Sequence, residues 1–297
     1  MGKFNIRGGG RLEGEIRLSG SKLAAPKMMV ASLLTNDECI LENFPQIGET
    51  EITAELCRLG GSQIETRGST LRITTPEIRN WRVTSLTRRN RIPILALGPL
   101  LARCGQAEIP FLGGDKIGPR PVDIHLDSLR ALGAEIEILP QSFYAKAPGG
   151  LKGAKIFLRY PSRTATENTI ISAVLAKGKT IIRNAAVEPE IVDLIKMLQK
   201  MGAIIELGAN RTIYIDGSEK LHGTVHSVLP DREEAVSFAC LAVASGGKIK
   251  VKDAVQEHLI TFLNAIRRIG GEYRVEGTDI IFSAKTSVIF LLLTFLR

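Results

Sequence analysis

Two stretches carry charged residues in settings that suit anion chemistry. Lys22 follows Ser19-Gly20-Ser21, directly ahead of the apolar run 24–34. That order reads as a strand-to-helix turn, where the free backbone N–H groups of a helix start also attract negative charge. A lysine there is either a phosphate ligand or a solvated surface charge. Arg120 closes the glycine-rich stretch Gly113-Gly-Asp-Lys-Ile-Gly-Pro-Arg and precedes Pro121, Val122, Asp123 and Ile124. Its planar guanidinium suits a phosphate or a carboxylate held through two parallel bonds. The alternative is a structural turn before a helix over 124–132, with Asp123 as its N-cap. Both can hold together. Asp115 lies in the same loop as Gly-Gly-Asp, a common turn sequence. Arg88, Arg89 and Arg91 form a local basic patch. His125, His222, His226 and His258 show no metal-ligand spacing, so the sequence implies no metal.

These groups must be positioned by a repeat. Leu56-Cys-Arg-Leu-Gly60, Leu129-Arg-Ala-Leu-Gly133, Leu198-Gln-Lys-Met-Gly202 and Ile266-Arg-Arg-Ile-Gly270 recur at intervals of roughly 70 residues. Each reads as the last turn of an amphipathic helix, closed by a glycine with positive φ. Alternating strands follow, such as 134–139 and 271–275. A second phrase (Leu12-Glu-Gly14, Leu151-Lys-Gly153, Leu221-His-Gly223) opens three of the four units. Behind it lie Ala-rich runs at 24–34, 166–176 and 233–244, with 92–102 in that place in the remaining unit. The unit is therefore strand–helix–strand–helix–strand–strand. Runs that are apolar nearly all round belong inside, so the expected architecture is α/β with helices inside and sheets outside.

Composition narrows the partners. The 297 residues are 44% hydrophobic and 24% charged, which excludes a disordered or collagen-like chain and leaves room for two domains. A net charge of +8 favours anionic partners. No basic run reaches five residues and only 5% of the chain is aromatic, so a phosphate-bearing small molecule fits better than nucleic acid. Cys39, Cys57, Cys104 and Cys240 lie far apart and read as small buried hydrophobes in a reducing compartment. The start lacks a signal-like segment, and the apolar stretch 288–296 falls short of the about 20 residues that cross a bilayer. The expectation is a cytoplasmic protein without a membrane span.

The repeat, with Ser19-Gly20-Ser21-Lys22, Ala96-Leu97-Gly98-Pro99-Leu100, Gly113–Asp123, Asn184–Glu190 and Leu229-Pro230-Asp231-Arg232, resembles the enolpyruvyl transferase family, in the branch that acts on UDP-N-acetylglucosamine. The resemblance implies an inside-out α/β barrel of repeated βαβαββ units. A first domain over 22–229 holds three repeats, a partial second domain joins 1–21 to 230–284 with one, and an atypical apolar tail covers 285–297. It implies transfer of enolpyruvyl from phosphoenolpyruvate to the 3′-hydroxyl of UDP-N-acetylglucosamine with release of phosphate, the first committed step of peptidoglycan synthesis, without a cofactor. Asp115 is then the general acid where most relatives carry cysteine, and Lys22 and Arg120 meet phosphoenolpyruvate. An ordinary aspartate titrates near 3.9, so that role asks the loop to desolvate it. Substrate contacts fall on Lys22, Leu23, Arg91, Arg120, Pro121, Val122, Asp123, Ile124, Ser162, Arg163 and Asp231. Asp231 and Glu234 are placed to orient Lys22, and Glu190 to brace a helix.

Departures from that pattern carry information too. Leu23 stands where the family has asparagine, Ser162-Arg163-Thr164 stands where relatives have a Ser-Val-Gly turn, and four repeats are present where relatives carry six. They keep open a catalytically silent chain that binds a sugar nucleotide or a partner subunit. Within enzymes, the shikimate-type sister reaction is the alternative, and the Gly113–Asp123 segment argues against it.

Overall fold

Each Leu-x-x-Leu-Gly phrase ends a helix and turns the chain back into a strand. In the computed structural model, residues 3–5, 9–88, 90–115, 118 and 121–285 are described. The chain opens with β1 (Glu13–Arg17), α1 (Ala25–Ala31), β2 (Cys39–Glu42), α2 (Gly48–Gly60), β3 (Gln63–Arg67) and β4 (Thr70–Thr74). Next come α3 (Pro93–Cys104), β5 (Gln106–Pro110), α4 (Asp123–Ala131), β6 (Glu135–Ile138) and β7 (Ser142–Lys146). The third round is β8 (Lys155–Phe157), α5 (Arg163–Ala173), β9 (Lys179–Arg183), α6 (Pro189–Lys200), β10 (Ile204–Gly208) and β11 (Thr212–Asp216). The last is β12 (Thr224–Ser227), α7 (Arg232–Ser245), β13 (Lys248–Lys252), α8 (Ile260–Arg268), β14 (Gly271–Glu276) and β15 (Asp279–Ala284). Gly133, Gly202 and Gly270 take the left-handed conformation and donate their N–H three residues back, to Arg130, Gln199 and Arg267. In the first repeat that residue is Gly61, not Gly60, which is still helical. Of two adjacent glycines, the second meets the geometry that the other repeats require.

The chain divides into two compact units, residues 22–229 and residues 1–21 with 230–297. The 22–229 unit has three sheets, in strand orders β12-β2-β4-β3, β5-β7-β6 and β8-β9-β11-β10. In each four-stranded sheet the first two strands run parallel and the rest antiparallel. The second sheet has no named opening strand; Arg82 bridges Glu108 in parallel, and Val83 and Trp81 exchange hydrogen bonds with the Glu108 backbone. Inside lie α1, α3 and α5. All of α1 is buried, as are residues 93–101 of α3 and 165–173 of α5. At Gly98 a Cβ would come within 2.2 Å of Ser172 Oγ, so α3 meets α5 where neither carries bulk. Helices inside and sheets outside is the arrangement expected from runs that are apolar all round.

One feature of the repeat reading is corrected. The sequence assigns 12–16 to the unit of α1 and 221–225 to the unit of α7. Instead β1 pairs in parallel with β13, and β12 pairs in parallel with β2. The strand after the third repeat closes the ring by joining the first repeat's sheet, which frees β1 to serve α7 and α8. His226 fastens β12 to α6 through Asp193, 3.1 Å away.

The other unit is a single four-stranded sheet, β1-β13-β15-β14, under α7 and α8. Its core includes Leu18, Ala235, Ala239, Ala242, Val251, Leu263, Ile266, Ile280 and Phe282. The cysteines also need a correction. Cys39 and Cys57 are buried, and desolvation pushes their thiols up to about 11 and about 12. Cys104 is half-buried and Cys240 is exposed on α7, because that helix is not enclosed on all sides.

Candidate functional site

The 22–229 unit gathers the starts of several helices around one cleft of about 660 Å³. The turn before α1 brings Lys22 and Leu23, the start of α2 brings Glu49, and the approach to α3 brings Asn90 and Arg91. The start of α5 adds Ser162, Arg163 and Thr164, Glu188 caps α6, and Asp115 enters from the glycine loop. Unsatisfied N–H groups and the positive end of the helix dipole make such a place favourable to anions. Among the described residues four cations line it, Lys22, Lys27, Arg91 and Arg163, against the carboxylates of Glu49, Asp115 and Glu188.

Local sequence explains each placement. Lys22 Nζ lies 3.6 Å from the Glu49 carboxylate, an exposed pair of small energetic weight. Lys27 belongs to an otherwise apolar helix; its stem is buried and its ammonium turns back to donate to the Leu23 carbonyl at 2.5 Å. Asn90 accepts from the Ile92 N–H at 3.1 Å, and its carbonyl accepts from Gly113 at 3.0 Å, which ties the glycine loop to α3. Arg91 donates to the Pro121 carbonyl at 3.2 Å. Ser162 is the N-cap of α5 and accepts from Ala165 N–H at 3.4 Å.

Asp123 departs from its expected place. Val122 is the N-cap of α4 and Asp123 is its first helical residue. Its carboxylate accepts from the Ile124 N–H at 2.9 Å and pairs with Arg159, which holds it below the usual carboxylate range. Arg159 takes Oδ2 while Oδ1 stays on the backbone. Pro121, Val122 and Ile124 form the turn that Arg91 grips. Arg120 lies outside the described residues. Asp231 belongs to the other unit, where it caps α7 by accepting from Glu233 at 2.8 Å and Glu234 at 3.2 Å. Glu234 in turn accepts from the Ser19 N–H at 3.0 Å and hydroxyl at 2.6 Å. Glu190 is buried in the first turn of α6.

Below the cleft the interior is unusually polar. Glu167 is fully buried, and neither of its carboxylate oxygens has a hydrogen-bond partner among the described residues. Burial pushes its pKa up to about 7; the charges of Lys27 and Arg163 pull it back, and Glu190 and Glu188 push it further. Arg163 Nε, one Glu188 oxygen and the Asn90 amide nitrogen are likewise buried without partners. His125 is buried on α4, with Nε2 3.3 Å from Thr164 Oγ1.

The structure thus brings Lys22, Leu23, Arg91, Asp115, Ser162 and Arg163 to one cleft. Lys27, Glu49, Asn90, Thr164 and Glu167 were missed from the sequence. For Lys27 and Glu167 a signal existed: each is a lone charge within a run of apolar and small residues. No cluster of metal-ligating side chains occurs among the described residues, and none of their helices is long and apolar enough to cross a membrane.

Comparison with known proteins gives the same answer from sequence and from fold. The chain is 48% identical over 281 residues to UDP-N-acetylglucosamine 1-carboxyvinyltransferase of Chlamydia pneumoniae, covering 93% of this chain and 61% of that protein. Against the protein of the same name from Protochlamydia amoebophila it is 42% identical, covering 95% and 62%. The chain therefore spans less than two thirds of these relatives. The fold matches the enolpyruvyl transferase NikO from Streptomyces tendae with a TM-score of 0.82 at 21% identity, over 95% of this chain and 68% of that one. It also matches EPSP synthase from Acinetobacter baumannii with a TM-score of 0.68 at 18% identity, over 93% and 65%. Residues 6–290 match one family throughout. The chain belongs to the EPSP synthase (3-phosphoshikimate 1-carboxyvinyltransferase) family.

Proposed function

We propose that the cleft of the 22–229 unit serves enolpyruvyl transfer from phosphoenolpyruvate to the 3′-hydroxyl of UDP-N-acetylglucosamine, a reading supported by relatives at 42–48% identity named UDP-N-acetylglucosamine 1-carboxyvinyltransferase. The observation that carries this reading is the convergence of four cations and several helix starts around Asp115. Such a site suits two ligands that both carry phosphate. In this reading Asp115 protonates C3 of the enol as the 3′-hydroxyl attacks C2 and gives up its proton to a base; the tetrahedral intermediate then loses phosphate from C2 and a proton from C3, which restores the double bond. Lys22 and Arg120 neutralise the phosphate and carboxylate of phosphoenolpyruvate. Arg91, Ser162 and Arg163 face the sugar nucleotide, beside the turn 121–124. The same reading puts the chain in cell-wall synthesis in the cytoplasm.

A second reading, binding without turnover, draws on Leu23. It places an aliphatic side chain in the cleft where the family offers an amide to the intermediate. Loss of one preorganised donor costs about 10²–10³ in rate. Two measurements on the 297-residue chain separate the readings. Phosphate release is followed with UDP-N-acetylglucosamine and, separately, with shikimate 3-phosphate as acceptor; the first supports transfer and the second would move the chain to the sister reaction. Calorimetry reports binding when neither acceptor turns over. Lys22→Ala should weaken phosphoenolpyruvate about tenfold or more while sparing the sugar nucleotide. Equal losses for both ligands would show that Lys22 is assigned to the wrong anion.

A further inference from the structure

No histidine enters the transfer described above, yet His125 lies directly behind the cleft in the first turn of α4, only 3% exposed. Its Nε2 is 3.3 Å from Oγ1 of Thr164, which lines the cleft beside Ser162 and Arg163. Its Nδ1 is buried and has no hydrogen-bond partner among the described residues. A neutral imidazole carries one N–H and one lone pair, and the partner of one nitrogen decides where the proton resides. A proton on Nδ1 would bury an N–H with nothing to accept it, the rarer kind of orphan in protein interiors. A proton on Nε2 leaves only a lone pair unused. Burial, reinforced by the positive charge of Arg91, pushes the ring pKa down to about 4, so the doubly protonated ring does not compete at neutral pH. The Nε2–H then donates to Thr164, whose oxygen becomes the acceptor. The threonine hydroxyl has no second partner among the described residues. Its own hydrogen is free to turn into a cleft lined by Arg91 and Arg163, cations that recruit anionic oxygens.

We propose that His125 is a positioning residue that, through an Nε2–H bond, commits the Thr164 hydroxyl to donate to a phosphoryl oxygen of the sugar nucleotide. This rests on the substrate reading above and adds to it a neutral donor, chosen by a histidine tautomer, for an acceptor oxygen. Thr164→Val keeps the shape and removes the hydroxyl; Thr164→Ser restores it. His125→Gln puts an amide nitrogen near the Nε2 position, whereas His125→Leu leaves no donor.

The test is calorimetry with UDP and with uridine on the full chain and these four variants, joined to nitrogen NMR of the imidazole in the unsubstituted chain. Thr164→Val and His125→Leu should each raise the Kd for UDP about tenfold, with uridine unchanged. Thr164→Ser and His125→Gln should remain near the parent, which a merely structural role for His125 would not produce. The spectrum should show Nε2 protonated and Nδ1 bare. UDP binding by Thr164→Val at parental strength overturns the proposal, as does a proton on Nδ1. An equal loss for uridine overturns the phosphoryl assignment in favour of a base carbonyl. A parent chain that binds neither ligand overturns the substrate reading and the phosphoryl partner with it, and the nitrogen spectrum then decides the tautomer alone.

Discussion

Helices α5 and α7 occupy the same place in their repeats, yet their surroundings differ. Both are rich in small residues, and both start from a polar N-cap, Ser162 and Asp231. In α5 every residue from Ala165 to Ala173 is buried, because three repeats ring it. In α7 only Ala235, Ala239, Ala242 and Val243 are buried, and Leu241 stays 41% exposed. Burial is a property of the ring rather than of the helix sequence. Enclosure also permits what a half-covered helix could not exploit: position 167, five after the cap, holds a fully buried glutamate, while position 236 of α7 holds an ordinary valine.

The comparison breaks most visibly through side-chain truncation. Ile171→Ala in α5 should cost about 2–5 kcal/mol, and Leu241→Ala in α7 about 0.5 kcal/mol or less. Urea unfolding followed by Trp81, the sole tryptophan and a residue of the 22–229 unit, reads the first. Hydrogen exchange in α7 reads the second. Similar losses in both would mean that the open side of α7 is covered in solution.

Titration sharpens the contrast next. The Glu167 pKa is raised to about 7 in the folded chain, so its contribution to stability is full below the unfolded value near 4.5. It is lost as pH rises through 7. The difference in unfolding free energy between the parent and Glu167→Gln should therefore grow by roughly 3 kcal/mol from pH 4.5 to above pH 7, with the parent the weaker at high pH. The difference must be taken, because His125 runs the other way: its pKa is depressed to about 4, so its contribution fades as pH falls from its unfolded value toward 4. A flat difference would place Glu167 in contact with water.

Smaller effects follow from packing and capping. Gly98→Ala should destabilise the 22–229 unit by about 1–3 kcal/mol, since the new methyl meets Ser172, with partial recovery on adding Ser172→Gly. Thermal melts of both variants test this, and an unchanged melt for Gly98→Ala would show that α3 and α5 can separate freely. Replacing the caps with alanine should cost about 1 kcal/mol each. Asp231 should cost the more, since it accepts two bonds where Ser162 accepts one long one. Chemical denaturation of the two variants ranks them.

Local features of the fold were legible in the sequence because they depend on neighbours in the chain. The glycine phrases announce helix ends, and runs that are apolar all round announce inner helices. Exchange of β1 and β12 was not legible in the phrase that both strands carry, although the domain bounds implied by the resemblance already set 1–21 with 230–284. The choice of Gly61 over Gly60 was lost for a similar reason, two glycines being equal on paper. Around the cleft, motif positions such as Lys22, Arg91 and Ser162 stood out by residue type. Lys27 and Glu167 were visible only as lone charges in apolar runs, and the Asp123–Arg159 pair was not visible, because it joins residues 36 apart.

The bridge between Gly20 and Pro230, with the Asp231 N–H donating to Ser19 at 2.8 Å, has a topological meaning. It holds the entry and exit of the 22–229 segment side by side, so that segment is a guest threaded into a host through one doorway. The host must close over a loop of roughly two hundred residues, but closure entropy grows so slowly that doubling the guest would cost about 0.6 kcal/mol more. A host of this design tolerates exchange of its guest, and new ends cut within the guest's exposed turns would leave the doorway intact.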